Sequence, residues 1–384
     1  MKRFFMLLCV LLMVTPCVSG CSDFVEPNQL AFVIGTAVDQ VQDGSIEVSL
    51  QVVIPSQLQK GNSTNSESFI VISAKGRDVF EASQNIQRKI PRRLMTSHRI
   101  LIAIGESYFQ KNELNLLFDK LARDPSNTLR DVVILIKGGR AKDFLRLKHP
   151  MEYVTSLAAS KEMNINGLQD FTSRQLVIDS LSQGTRPLVP VFKVEHKTVS
   201  SQKKSEGIPV FAGFAVLNKK LKPVGFLNDT ECAGASWLAG KGMFQGITMP
   251  WKNGKGMLSF RLSRLDRSIR SVRGQDPKQV VLAIKAQAYL LENTASLDMT
   301  DMNTVIDVQK YMNAYIRKDL QATVNKVQKS GSDVFGIGEY LHRKHPIWWK
   351  RQRDEWDANF KTVQVTVKSD IQLRSVGVIG GELK

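Results

Sequence analysis

The sequence predicts an α+β fold: a mixed α/β, multi-domain chain with helices packed on mixed sheets and a long C-terminal helix next to antiparallel strands. Three observations carry this. Apolar residues alternate at period 2 in 46–54 (Ile46, Val48, Leu50, Val52, Ile54), in 280–290 and in 363–373, the mark of half-buried strands. Two unbroken apolar runs, 100–104 and 132–136, flank an amphipathic stretch, as parallel strands do around a right-handed crossover helix. Finally, Val305, Val308, Met312, Ile316, Leu320, Val324 and Val327 step by three or four residues and give a helix over 301–330 one apolar stripe. At 384 residues the chain exceeds the usual size of a single core, so two or three domains are expected.

The elements follow in order. Residues 1–20 read as a secretory signal: Lys2 and Arg3, an apolar run over 4–14 too short to span a bilayer, and a small-residue exit. The exit, Val18-Ser19-Gly20-Cys21, resembles the lipobox of bacterial lipoproteins. That resemblance implies cleavage before Cys21, which makes Cys21 the lipid attachment site. An ordinary secreted protein cut near Gly20 is the alternative. Residues 21–29 are a polar tether, and 30–197 an N-terminal α/β domain. Within it, strands on either side of Asp43-Gly44 form an antiparallel hairpin. A third strand covers 69–74, a helix runs from Val79 to its stop at Pro91, and the crossover helix covers 107–122. Shorter helices fall near 141–147, 151–161 and 169–181. Residues 187–194 read as an edge strand, because Pro187 and Pro190 cannot donate to a ladder. The polar, aperiodic segment 198–207 is the linker, and 208–384 the C-terminal α/β domain. There, strands at 210–217 and 224–226 precede a helix at 229–239 with Asp229 or Thr230 as its cap. Strands at 257–265 and 280–291, the long helix stopped by Gly331, an aromatic segment and the final strand complete the chain.

Composition narrows function. The net charge is +17, or +15 once Lys2 and Arg3 leave with the signal. With no aromatic-interleaved basic motif or zinc-finger spacing, the expected partner is an anionic membrane surface rather than nucleic acid. Cys9 and Cys17 leave with the signal and Cys21 carries lipid, so Cys232 is alone and no intramolecular disulfide is expected. Nor do the residues announce a catalyst, a metal or a cofactor. His342, His345 and Glu339 lie close in sequence, but Arg343, Lys344, Lys350, Arg351 and Arg353 crowd them and discourage a metal. Gly240-Lys241-Gly242 and Gly336-Ile337-Gly338 lack phosphate-loop spacing, and no Gly-x-Ser-x-Gly elbow occurs. Trp348, Trp349 and Trp356 fall near one helical face and serve either the core or an exposed aromatic patch.

The order of motifs resembles one family, the Ger(x)C lipoproteins, which are the C subunits of bacterial spore germinant receptors. In the first half the match comprises Cys21, Asp23, Leu30-Ala31-Phe32-Val33-Ile34-Gly35, Asp39, Ser97-His98-Arg99, Leu121-Ala122-Arg123-Asp124-Pro125 and Lys137-Gly138-Gly139-Arg140-Ala141-Lys142-Asp143. In the second it comprises Gly213-Phe214-Ala215-Val216, Gly225, Trp237-Leu238, Gly240-Lys241, Gln328, Asp333-Val334-Phe335-Gly336-Ile337-Gly338, Pro346, Trp349 and Trp356. Ser22 departs from the pattern, since the family commonly has Trp directly after the lipidated Cys. The resemblance implies a non-enzymatic, lipid-anchored (palmitate-bearing) subunit on the outer face of the spore inner membrane. Its partners would be two integral membrane subunits, an A-type and a transporter-like B-type, and it would act in assembly or signal transmission. Phe335, Gly336, Gly338 and Trp349 are the expected interface residues. A solute-binding lipoprotein with a ligand cleft and a lipid-anchored hydrolase are the competing classes.

Overall fold

The computed structural model describes residue 3 and residues 25–55, 68–124, 126–147, 149, 151–152, 154–168, 170–197, 206–241, 246–272 and 277–376. The expected signal, Cys21, and residues 198–205 of the expected linker lie outside the described residues. The tether is described from residue 25 and ends in a single 3-10 turn, Pro27–Gln29.

The first half starts with the strands β1 (Leu30–Gln40), β2 (Ile46–Val53) and β3 (Phe69–Gly76), followed by helix α1 (Val79–Gln87). Strands β4 (Arg93–Met95) and β5 (Leu101–Gly105), helices α2 (Glu106–Lys111) and α3 (Asn115–Arg123) and strand β6 (Val132–Ile136) come next. After α4 (Ala141–Leu145), α5 (Thr155–Ile165) and α6 (Ser173–Leu181), strands β7 (Leu188–Lys197), β8 (Glu206–Leu217) and β9 (Pro223–Leu227) close this half. All nine strands form one mixed sheet, ordered β3-β2-β1-β5-β6-β7-β8-β9, with β4 beside the start of β1. The hairpin expected around Asp43-Gly44 is antiparallel β1–β2, and the expected crossover joins parallel β5 and β6.

Three details differ from the sequence reading. The crossover holds two helices rather than one, because Asn112 turns extended (ψ 155°) after α2. Strand β7 is interior, not an edge: it runs parallel to β6 and antiparallel to β8. Its prolines are accommodated because the ladder with β6 begins only at Val191, so neither Pro187 nor Pro190 is asked to donate there. Glu206 and Gly207 of the expected linker pair with Lys197 and His196, so the segment joins two neighbouring strands of the same sheet.

Helix α7 (Asp229–Ala239) leads into the second sheet. Its cap is Asn228, just before the expected Asp229 or Thr230, in a capping box with Glu231. Strands β10 (Gly246–Pro250), β11 (Met257–Ser271) and β12 (Gln279–Asn293) form an antiparallel meander. The long helix α8 (Met302–Ser330) follows, capped by Asp301 and ended by Gly331 in the left-handed conformation. Short helices α9 (Ile337–Lys344), α10 (Pro346–Gln352) and α11 (Trp356–Phe360) lead to the last strand, β13 (Gln364–Ser375). Strand β13 joins β12 in parallel, which suits a strand reached by a long helical crossover.

Both faces of the first sheet are covered. On one, Ala82 and Ile86 of α1 and Leu117, Phe118 and Leu121 of α3 pack on Val38, Leu50, Ile102 and Ile104. On the other, α4 and α5 cover Ala37, Leu101, Ala103 and Ile134, and this core continues without a break into the second sheet. The apolar stripe of α8 lies in that continuous core with Leu258, Phe260, Leu282, Ile284, Val365 and Val367. The same helix closes the free edge of β13. Asn313 donates to the Ile371 carbonyl and accepts from its N–H (2.8 and 2.9 Å). Gln321 does the same for the Val365 carbonyl and the Val367 N–H (both 2.9 Å), and Gln309 accepts from Leu373 N–H. Side-chain amides on one helix face thus stand in for a neighbouring strand, and an edge that would template pairing is closed.

Candidate functional site

The stretch 333–338, one of the motifs behind the resemblance, folds into a buried polar junction between the two sheets. After α8 ends at Gly331, the chain doubles back, and the Asp333 side chain turns into the loop that follows it. One carboxylate oxygen accepts from the N–H of Phe335 (3.1 Å) and of Ile337 (3.2 Å). The other accepts from Gly338 N–H (2.6 Å) and from the indole Nε1 of Trp356 (3.2 Å). Gly336 permits the turn by adopting φ +69°. Asp333 is completely buried, which pushes its carboxyl up to about 6, although these four donors pull the other way.

Both sheets hold on to this loop. Arg186, in the connection from α6 to β7, donates its backbone N–H to the Asp333 carbonyl at 2.7 Å, and its guanidinium pairs with Asp357 at 2.6 Å. Arg267 of β11 donates to the Phe335 carbonyl. Gly184 and Gly338 meet backbone to backbone: a Cβ added to Gly338 would lie 2.7 Å from the Gly184 Cα and 2.5 Å from the Trp356 indole nitrogen. The Trp349 and Trp356 rings are T-shaped at 5.0 Å, and Trp356 continues onto Phe360 at 6.0 Å. The Trp349 indole donates to Gln183 at 3.4 Å.

The structure therefore brings together all four residues expected to form an interface, but inside the molecule. Phe335, Gly338 and Trp349 are buried and Gly336 is half-buried, so they do not present an interaction surface. Burial of these aromatics removes large apolar area from water, which decides their place. Trp356 is in the core with Trp349, while Trp348 is only partly buried. The neighbouring histidines are engaged: His342 stacks on Trp349 at 5.8 Å, and His345 Nε2 lies 3.0 Å from Ser271 Oγ. Gly240 ends α7 in the left-handed conformation, and Lys241 beside it forms an ion pair with the buried Asp179. Burial pushes the Cys232 thiol up to about 12, so it is a poor nucleophile.

Composition and periodicity gave no sign of a second polar centre, at the C-terminal ends of the parallel strands. Asp39, at the end of β1, accepts from the N–H groups of Ala141 and Lys142 (both 2.8 Å) at the start of α4. Desolvation raises its carboxyl pKa, against those two donors. Glu47 pairs with Arg140 and with Lys142 (2.7 Å), and Glu106 accepts from Gly138 N–H at 2.7 Å. Open α/β sheets commonly take ligands at this end. Here three carboxylates of the chain itself fasten the loop 137–142 instead.

Comparison with known proteins gives two consecutive family matches. Residues 23–194 match "Spore germination protein N-terminal domain" and residues 212–377 match "Spore germination B3/GerAC like, C-terminal". Similar curated proteins from Bacillus subtilis (strain 168) include spore germination protein KC, 23% identical over 98% of this chain and 97% of that protein. The putative spore germination protein YfkR is 26% identical over 97% and 96%, and spore germination protein B3 is 20% identical over 94% and 95%. The crystal structure of the GerBC protein shares the fold, with a TM-score of 0.54 and 20% identity over 92% of this chain and all of that one.

Proposed function

The chain belongs to the GerAC-like C-subunit family of spore germination proteins, and on that premise we propose that it is the lipid-anchored C subunit of a nutrient germinant receptor. It is held on the outer face of the spore inner membrane through Cys21 and acts in receptor assembly or signal transmission rather than catalysis. Its partners are the two integral membrane subunits, A-type and transporter-like B-type. The observation that carries this reading is the pair of consecutive family matches, supported by end-to-end similarity to several spore germination proteins. Anchoring is supported by Lys2 and Arg3, the short apolar run and Val18-Ser19-Gly20-Cys21. Among the described residues, no helix is long and apolar enough to cross a membrane. An acyl chain contributes about 0.8 kcal/mol per buried methylene, so two or more chains hold a protein stably on a bilayer. The net positive charge adds attraction to anionic headgroups.

The test is Cys21→Ala in spores, with membrane fractionation and a nutrient germination assay run on the same strain. Loss of the protein from the inner membrane together with loss of the response is expected. A variant that stays membrane-bound and germinates normally would refute the anchored-subunit reading.

A further inference from the structure

The face of the first sheet that carries α1 and α3 contains a cavity of about 270 Å³ between those two helices, floored by β1, β2 and β5. Val38, Leu50, Val79, Ile102, Leu117 and Leu121 form its apolar lining, and polar side chains supply the rest. Two of the polar side chains, Thr36 and Arg99, are deeply buried. Thr36 is 7% exposed and its hydroxyl has no hydrogen-bond partner among the described residues. Gly35 before it faces Ser156 and Leu145 on the opposite side of the sheet, so strand alternation points Thr36 toward the cavity that it lines. Arg99, also in the lining, is buried at least as deeply. Its Nε donates to Asp131 at 2.5 Å and its Nη2 to Asn127 at 3.1 Å. Nη1 has no partner among the described residues.

Buried polar atoms are normally satisfied, and a cavity with apolar walls and a few convergent polar groups is the usual form of a small-molecule site. The charges decide the class of ligand. Arg99 is balanced by Asp131, and Lys120 in the lining pairs with Asp124 at 3.3 Å. A charged ligand would meet no uncompensated partner here. We propose that this cavity binds a small uncharged amphiphile. Its apolar body lies against Val38, Leu50, Ile102 and Leu121, and its carbonyl oxygen accepts from Arg99 Nη1 beside the Thr36 hydroxyl. The volume lies just below the usual range for ligand pockets, which limits the body to a single ring or a short branched chain.

The test uses the full-length chain purified in detergent, with benzamide as the probe and isothermal titration as the readout, independent of any germination response. Saturable one-site binding is expected, with benzoate at least about tenfold weaker. Thr36→Val should weaken benzamide about tenfold while raising the thermal midpoint of the unliganded protein, because it removes an unsatisfied buried hydroxyl. Ser83→Leu, which adds volume from α1, should abolish binding in a chain that still unfolds cooperatively. No saturable benzamide binding up to about 10 mM would overturn the proposal, as would both variants binding like the parent. Equal binding of benzoate would overturn the assignment to an uncharged ligand.

Discussion

Replacing Asp333 tests whether the junction between the sheets is a single polar tie. Its two oxygens are each committed to two donors: Phe335 and Ile337 N–H on one, Gly338 N–H and Trp356 Nε1 on the other. Asp333→Ala strands all four in a dry interior. At about 1 kcal/mol each, the low end for a buried donor left without an acceptor, the loss is about 4 kcal/mol. Asp333→Asn is the sharper variant, because either orientation of the amide sets its NH2 against two donors. It should lose about 2 kcal/mol despite near-identical shape. Urea unfolding followed by tryptophan emission reads both, since Trp349 and Trp356 lie at the junction. The pH dependence is a second reading with a defined sign. The folded pKa of about 6 is above the usual 3.8, so the folded state binds this proton more tightly than the unfolded chain. The resulting stabilisation is complete below about pH 4 and is lost as pH rises through 6. The deficit of Asp333→Ala should therefore be about 1 kcal/mol larger at pH 5 than at pH 7. A deficit under about 1 kcal/mol for Ala at pH 7, or an Asn variant as stable as the parent, would refute the tie.

Three further outcomes follow from other contacts. Gly338→Ala forces a methyl against the Gly184 backbone and the Trp356 ring, and should cost about 2 kcal/mol or more in the same urea titration. Asn313→Leu removes both partners of Ile371; it should cost about 2 kcal/mol and speed exchange of the Ile371 amide, with other β13 amides less affected. Cys232, buried with its thiol pushed up to about 12, should resist iodoacetamide at pH 8 and react only in denaturant.

The parts of the fold legible in the sequence are those governed by periodicity. The alternation of Val280 through Leu290 and the stripe from Val308 to Val327 each lie on one buried face, as their spacing requires. Pairing is where that reading stops. The prolines at 187 and 190 suggested an edge, yet β7 is interior because its ladder with β6 starts beyond them, and no local pattern reports where a ladder starts. Segment 198–207 has the composition of a linker, and composition cannot say that the strands on either side of it pair with each other. At the site, family resemblance picked out 333–338 and Trp349. Glycines and aromatics serve a tight buried turn as readily as a contact surface, and the structure places these residues inside the molecule. The resemblance also included Asp39 and 137–143, but no local pattern joins them, since they lie about a hundred residues apart.

The same physics explains why polar side chains sit at both places where this fold is vulnerable. A free strand edge and a seam between sheets each present backbone N–H and C=O groups that must be paired once water is excluded. At β13 the groups of both kinds alternate along the strand, and amides answer because each carries a donor and an acceptor: Asn313 and Gln321 serve one of each. At the seam the groups converging on one point are all donors, and a carboxylate answers because it only accepts. Exchanging the two chemistries would fail in both directions. Asp at position 313 could still accept from Ile371 N–H but would set an acceptor against the Ile371 carbonyl, and Asn at 333 would set an NH2 against two donors. The residue type at each position thus follows from the polarity of the backbone it serves.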